Sequence, residues 1–251
     1  MNLGLRNKIV IIVGGTYGIG SKLVIDFLKQ GSIVHVLSRN NKPINDYKFK
    51  YKSKLFYYKC DANKEVDLKN VLIKIVKISN KIDILIHNVG NGSGERLGIQ
   101  SKTEWDISWD INFATALNVS RIFTDEILKS KGSILFISSI AGIEEIGAPT
   151  SYSVAKSALI TYAKVLSHKL APNVRVNLIA PGNILTKGGI WDKKLKNEPD
   201  LMNKMLNEKV PLKCFGLPED VSNLALFISS NKANFITGSC FIVDGGQTTS
   251  F

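Results

Sequence analysis

The sequence predicts an α/β fold in which a doubly wound parallel sheet carries helices on both faces. Three observations predict it. Residues 8–13, Lys-Ile-Val-Ile-Ile-Val, form a β-branched apolar run that suits a strand buried on both faces, and a glycine-rich turn and a helical spacing follow at once. Strand-like and helix-like segments then alternate to the end of the chain. The 251 residues, 44% of them hydrophobic, can bury one large core, and no repeat, low-complexity tract or linker divides them, so residues 1–251 read as a single domain.

The first helix is expected over Ser21–Gln30, where Leu23, Val24, Phe27 and Leu28 recur at helical spacing. Strands are expected at Ile33–Leu37 and at Leu55–Lys59, the latter ending in Cys60-Asp61-Ala62. Helical spacing over Val66–Ile78 leads to a strand at Ile82–Ile86, and a long helix is expected from about Thr103 to Lys129. Ser133–Ser138 is the next strand, Tyr152–Leu170 the next helix, and Val174–Leu178 a further buried strand. Residues 187–212 leave the sheet with Leu201, Met202, Met205 and Leu206 on one helix face, and return at Pro211-Leu212. Cys240–Val243 is the last strand, before Asp244-Gly245-Gly246.

Chemistry concentrates at two places. Gly14-Gly15-Thr16-Tyr17-Gly18-Ile19-Gly20 lies between the first strand and the first helix, the context that a dinucleotide fingerprint requires. Glycines permit the tight turn and let a pyrophosphate approach the backbone, while the helix N-terminus offers unpaired N–H groups. Further on, Tyr152 and Lys156 are four residues apart, so phenol and ammonium share one helix face about 6 Å from each other. A cation beside a phenol favours the phenolate, which lowers the phenol's pKa toward working range. Ser138 and Ser139 end the preceding strand, and either hydroxyl could bond a substrate oxygen. The set can give a proton to a carbonyl oxygen or take one from an alcohol.

With the wide glycine spacing, Asn88, Asn112, Ser139, Tyr152, Lys156 and the Pro181-Gly182 turn, the chain resembles the short-chain dehydrogenase/reductase superfamily from about Leu5 to Gly246. The match is to its compact single-domain branch, which contains the 3-oxoacyl carrier-protein reductases. The resemblance implies a Rossmann-type sheet of about seven strands. It selects Ser139 over Ser138 as the carbonyl-binding serine, from the thirteen-residue offset to Tyr152. It gives Asn112 a role in a proton relay behind Lys156. It also implies that Asp61 bonds the adenine beside Ala62, and that Val89 and Gly90 line the cofactor next to Asn88, with His87 departing from the usual Asn. Pro181, Gly182, Ile184 and Thr186 then meet the nicotinamide end.

The second strand ends in Ser38-Arg39-Asn40. An NAD site places a carboxylate here for the ribose 2′-hydroxyl, whereas an NADP site uses an arginine for the 2′-phosphate. Ser38 occupies the acidic position and Arg39 follows it, so the cofactor expected is NADPH/NADP+ rather than NADH/NAD+. Tyr17 stands where NADP-selective relatives often carry a second basic residue.

The net charge of +12 raises a nucleic-acid reading, and Tyr47–Lys52 interleaves aromatics with lysines. The excess is nearly all lysine, and the five arginines (Arg6, Arg39, Arg96, Arg121 and Arg175) are dispersed. Lysines ahead of an edge strand guard it against pairing, so no nucleic-acid partner is expected. No apolar stretch approaches a membrane span, and the N-terminus enters a strand almost at once, so no membrane and no signal peptide are expected. Cys60, Cys214 and Cys240 lack paired spacing, which suggests reduced thiols, a cytoplasmic protein, and neither a disulfide nor a metal site. His35, His87 and His168 read as packing residues.

Substrate choice is expected to reside in residues 187–212, where Gly188 and Gly189 suggest a hinge and Trp191 an apolar wall, so that the segment closes as a lid. Lys187, Lys193, Lys194 and Lys196 could attract an acidic substrate, although they share the lysine bias of the whole chain. Arg96, in the loop Asn91–Arg96, could meet a substrate charge. The leading expectation is an NADPH-dependent reductase of a small-molecule or carrier-bound ketone. Alternatives are a dehydrogenase or reductase of a sugar, nucleotide-sugar or polyol, and a non-catalytic NADP(H)-binding sensor. By resemblance, a homo-tetramer or homo-dimer forms through the helices near 103–129 and 151–171 and the final strand.

Overall fold

The computed structural model describes residues 2–40, 50–95 and 98–250. Seven strands form one parallel sheet: β1 Ile9–Val13, β2 Ile33–Ser38, β3 Leu55–Lys59, β4 Ile84–His87, β5 Ser133–Ile137, β6 Arg175–Pro181 and β7 Cys240–Val243. Their order is β3-β2-β1-β4-β5-β6-β7. The chain runs outward from β1 to β3, then returns to the other side of β1. That reversal opens a crevice beyond the carboxyl ends of β1 and β4, where open α/β sheets hold ligands.

Among the described residues the α-helices are α1 Gly18–Lys29, α2 Glu65–Ser79, α3 Lys102–Trp109, α4 Thr115–Ser130, α5 Thr150–Leu170, α6 Ile190–Asn197, α7 Pro199–Lys209 and α8 Pro218–Ser229. Every residue of β1 and β5 is buried, as continuous β-branched and apolar runs require between two helical layers. One face of the sheet packs Leu23 and Phe27 of α1 against Val221 and Ala225 of α8. The other packs α2, α4 and α5 through Ile75, Phe123, Ile127 and Leu159. Phe27 and Phe123 are wholly enclosed, so truncating either to alanine costs about 3–5 kcal/mol.

Polar groups tie these layers together. The buried Asp26 of α1 accepts from Ser222 Oγ of α8 at 2.8 Å and pairs with Lys22 at 3.0 Å. Arg175 donates to the carbonyls of Ile228, Ser230 and Ile236, so this arginine fastens β6 to the end of α8. The helix α8 was not anticipated from the sequence.

Three expectations about elements change. The helix expected over Thr103–Lys129 is interrupted: Asp110–Ala114 is a π turn, in which the Thr115 N–H reaches back to Asp110 O. Leu201 is 53% exposed while Met202 and Leu206 are buried, so the inward face of α7 is narrower than its spacing suggested. His168 is exposed on α5 rather than packed. By contrast His35 and His87 are fully buried in β2 and β4. β3 is an edge strand, and the Tyr47–Lys52 tract before it lies partly outside the described residues. Among the described residues no helix is long and apolar enough to cross a membrane.

Candidate active site

The glycine-rich turn shows why its residues are small. Gly14 adopts φ +80° and Gly18 φ +53°, conformations that side chains resist. A Cβ on Gly20 would meet Gly14 O at 2.0 Å, so this glycine lets the helix start fold back over the turn. Tyr17 caps α1 without a side-chain hydrogen bond, and no acidic residue stands in the first turn. The N-terminus of α1 therefore presents backbone donors and a positive dipole end to the crevice. Asn88, at the end of β4, donates from Nδ2 to Gly14 O at 3.0 Å and fixes the turn against the neighbouring strand.

A cavity of about 600 Å³ runs along this edge of the sheet. Gly14, Thr16, Tyr17, Gly18 and Ile19 line one end, with Ser38, Arg39, Asp61 and Ala62 beside them. Asn88, Val89, Gly90, Tyr152, Lys156, Pro181, Gly182, Ile184 and Thr186 line the rest, with Thr186 next to Gly18. Gly20 and Asn112 stand behind the wall rather than on it, and Arg96 lies outside the described residues. At the Arg39 end, Thr16 and Ser38 share a hydroxyl contact at 2.9 Å, and Tyr57 donates to Ser38 O at 2.9 Å. Arg39 is exposed on this rim. Open glycine backbone, an uncapped helix start and one guanidinium at the rim fit a phosphorylated dinucleotide.

Ser139 follows β5; its Oγ accepts from Ala141 N at 3.2 Å, and it lies close enough to Tyr152 to pull that phenol's pKa down. Ser138 is different: its hydroxyl is buried and donates to Lys156 O at 3.1 Å. The geometry thus separates two serines that chemistry alone could not. Lys156 is 2% exposed, and its ammonium donates to Ile137 O at 3.2 Å and Val89 O at 3.4 Å. Burial drives the Lys156 pKa down to about 8. Burial also raises Tyr152, against the opposing pull of Ser139. This corrects the expected lowering of the Tyr152 pKa: burial outweighs the cation, whose Nζ lies 5.9 Å from the centre of the Tyr152 ring and directs its protons to backbone carbonyls.

Asn112 is fully buried in the π turn. Its Oδ1 accepts from Asn91 N at 2.8 Å, and its Nδ2 donates to Asn91 O at 3.1 Å and Ser108 O at 2.9 Å. A π turn of this kind commonly marks a functional position in a helix. Here it aims Asn112 at the loop after β4, and Asn91 is a partner the sequence did not reveal. His87 sits below: Thr115 Oγ1 donates to Ile111 O, so it accepts from His87 Nε2 at 3.0 Å, and Nδ1 has no partner among the described residues. Burial and the nearby Lys156 charge lower the His87 pKa to about 3, so the ring is neutral.

A second cavity of about 1060 Å³ shares Gly92, Ser139, Tyr152, Gly182, Ile190 and Trp191 with the first. The Ser139–Tyr152 pair therefore stands where the two spaces meet. Of the four lysines expected near substrate, only Lys194 is on this wall, and its Nζ lies 5.3 Å from the Trp191 ring centre. Lys196 pairs with Asp192 at 2.8 Å. Trp191 also packs against Phe215, ring centres 5.6 Å apart. Cys60, Cys214 and Cys240 are unpaired, and no cluster of metal-ligating side chains occurs among the described residues.

A family model described as enoyl-(acyl carrier protein) reductase matches residues 14–248. The chain belongs to the short-chain dehydrogenase/reductase family. It is an oxidoreductase of carbonyl and hydroxyl groups. A 3-oxoacyl-[acyl-carrier-protein] reductase of Chlamydia muridarum is 33% identical over 256 residues, covering 98% of this chain and 100% of the relative. A tropinone reductase homolog of Arabidopsis thaliana is 32% identical, covering 98% and 93%. Among solved structures, L-sorbose reductase from Gluconobacter frateurii, complexed with NADPH and L-sorbose, superposes with a TM-score of 0.91 at 26% identity, over 100% of both chains. Aldohexose dehydrogenase from Thermoplasma acidophilum gives 0.86 at 29% identity, over 99% of this chain and 97% of the other. The family places the seven-stranded sheet and its carboxyl-edge crevice in a dehydrogenase/reductase context. The names of these relatives range over 3-oxoacyl carrier-protein, tropinone, L-sorbose and aldohexose substrates.

Proposed function

We propose that this chain is an NADPH-dependent reductase that converts a ketone to a secondary alcohol. The observation that carries the reading is that Ser139 and Tyr152 both line the two cavities where they join, with Lys156 buried behind them. Two hydroxyls on one shared wall can both bond a single carbonyl oxygen. When bound, NADPH supplies the hydride. The residues that would hold it are Gly14–Gly20 and the α1 N-terminus at the pyrophosphate, Ser38 and Arg39 at the 2′-phosphate, Asp61 and Ala62 near the adenine, and Asn88, Val89, Gly90, Pro181, Gly182, Ile184 and Thr186 toward the nicotinamide. Lys156 faces the same space.

The chain's own part is orientation and proton transfer. Ser139 and Tyr152 donate to the carbonyl oxygen and polarise it. Tyr152, whose raised pKa keeps it protonated at neutral pH, gives its proton to that oxygen as the alcohol forms. The Lys156 charge stabilises the phenolate left behind, and Asn112 holds the loop at Asn91 on the route by which the proton returns. Such general-acid help is worth about 10² to 10⁴ in rate.

Residues 187–212 serve in this reading as a lid, with Trp191 as its inner wall. Assembly of four copies is supported by apolar side chains left outside the fold: Ile107 on α3, Val154 and Val165 on α5, and Phe235 and Ile242 before and within β7. Light scattering at working concentration tests this, a monomer being the adverse result.

The test of the reaction is a nicotinamide-fluorescence titration with NADPH and NADH, followed by a panel of ketones. Tyr152→Phe is expected to abolish turnover while NADPH still binds. Normal turnover in that variant would overturn the mechanism.

A further inference from the structure

The second cavity has an unusual wall at the C-terminal tail. Asp244 Oδ1 accepts from Gly246 N at 2.9 Å, and Oδ2 accepts from Thr248 N at 2.7 Å and Thr248 Oγ1 at 2.8 Å. Beyond that turn, Glu144 accepts from Thr249 N at 3.0 Å and Thr249 Oγ1 at 2.6 Å. Those bonds hold the Glu144 carboxyl below its usual range, so it is ionised and its clasp persists at neutral pH. Gln247 is thus pinned from both sides and lines the cavity. Its Oε1 is enclosed and has no hydrogen-bond partner among the described residues. A second amide on the wall is also poorly matched: Asn183 is 7% exposed, and its Nδ2 donates to the Met205 sulfur, a weak acceptor, at 3.5 Å. Buried amides in this state gain from a ligand that brings hydroxyl groups, since each can accept from one hydroxyl and donate to another.

Charge narrows the ligand further. The wall carries three carboxylates, Glu144, Glu145 and Glu208, against two ammonium groups, Lys194 and Lys209. An anionic substrate, such as an acyl chain on a phosphate-bearing carrier, finds no positive surplus there. Trp191 supplies a flat apolar face beside the catalytic pair, suited to the carbon skeleton of a compact polyol. Resting on the carbonyl-reductase reading of the Ser139–Tyr152 site, we propose that the substrate is an uncharged ketone bearing hydroxyl groups, of the ketose kind. Gln247 is its specificity-determining residue and receives a substrate hydroxyl away from the carbonyl.

The experiment compares kcat/KM of the NADPH-bound enzyme for a ketohexose, for the hexanone of the same carbon count, and for a 3-oxoacyl pantetheine thioester. The ketohexose is expected to exceed the hexanone by about 100-fold or more, because a site that bonds hydroxyls rejects an analogue lacking them. In Gln247→Leu that ratio is expected to fall about tenfold, through KM rather than kcat, as one hydrogen bond of about 1.4 kcal/mol requires. NADPH affinity of the same variant reports whether the fold survives. Calorimetric binding of the ketohexose to the Tyr152→Phe enzyme with NADPH, with and without Gln247→Leu, reads the contact independently of turnover. An unchanged ratio in Gln247→Leu, or a preference for the thioester, overturns this inference and leaves the reductase intact. Ketohexose binding that depends on Gln247, in a wild-type enzyme that turns over no ketone, overturns the reductase reading and leaves the contact.

Discussion

Lys156 Nζ lies over Gly90 so closely that a Cβ there would stand 2.8 Å from it and 3.3 Å from Asn112 Oδ1. The absence of a side chain at Gly90 is what lets the buried ammonium, the Asn112 amide and the loop after β4 share one small volume. Gly90→Ala is expected to push Lys156 off the Val89 and Ile137 carbonyls that hold it. If Lys156 acts as proposed, a displacement of this size is expected to lower kcat by about tenfold or more. Steady-state kinetics with NADPH titration checks this, and wild-type kcat would contradict it.

Much of this arrangement was legible beforehand, because it is local in sequence. The glycine turn between β1 and α1, the strand-end Ser38-Arg39 and the Tyr152–Lys156 spacing all sit within one element or one connection. What could not be read depends on contacts across the chain. The tie of Asn112 to Asn91 spans two elements, and the π turn that aims it leaves no mark in apolar periodicity. The lowered Tyr152 pKa was expected from proximity to a cation alone. Burial, which a sequence does not state, turned the shift the other way. Gln247 and the Glu144–Thr249 clasp join residues about a hundred positions apart, so no local pattern signals them.

Arg39 offers a direct test of cofactor choice. It lines the rim near Ser38, while Arg175 and Arg121 are engaged by backbone carbonyls and by Glu65. A guanidinium gripping a phosphate through charge-assisted bonds is worth about 1.5–3 kcal/mol. Arg39→Ala is therefore expected to weaken NADPH binding by about 10- to 100-fold and to leave NADH binding nearly unchanged, measured by nicotinamide fluorescence. An undiminished NADPH preference would remove Arg39 from the cofactor site.

Lys156 also sets a pH dependence. Its folded pKa of about 8 lies below the ordinary value of 10.5, so between those limits the unfolded chain binds the additional proton. Stability then rises with pH across that window, and below pH 8 the buried charge opposes folding. Lys156→Met is expected to melt higher than wild type at pH 7, with the gap narrowing from pH 8 to 10. Turnover shows the opposite trend: ketone reduction falls as pH rises through about 8 and Lys156 loses its charge. Thermal melts and rates across pH 6.5–10 check both.

Tyr17 links the two halves of the site. Its hydroxyl donates to Lys187 O at 2.5 Å, at the point where the chain leaves β6 for α6, and it is 52% exposed on the wall of the first cavity. Gly188 follows at φ +75°, and its N–H is held by Asp192 at 2.6 Å, so the segment bends sharply just beyond the tie. A nucleotide bound along Gly14–Gly20 would lie in the cavity that Tyr17 lines, so the contact is expected to restrain its departure. Removing the hydroxyl in Tyr17→Phe keeps the ring and deletes one partly exposed hydrogen bond of about 1 kcal/mol. The expected result is NADPH release faster by about fivefold, with the ratio of NADPH to NADH affinity unchanged, since the proposed 2′-phosphate contact is assigned to Arg39 and not to Tyr17. Stopped-flow displacement of the bound cofactor measures the release rate. Release at the wild-type rate would mean that the Tyr17–Lys187 contact does not restrain the nucleotide.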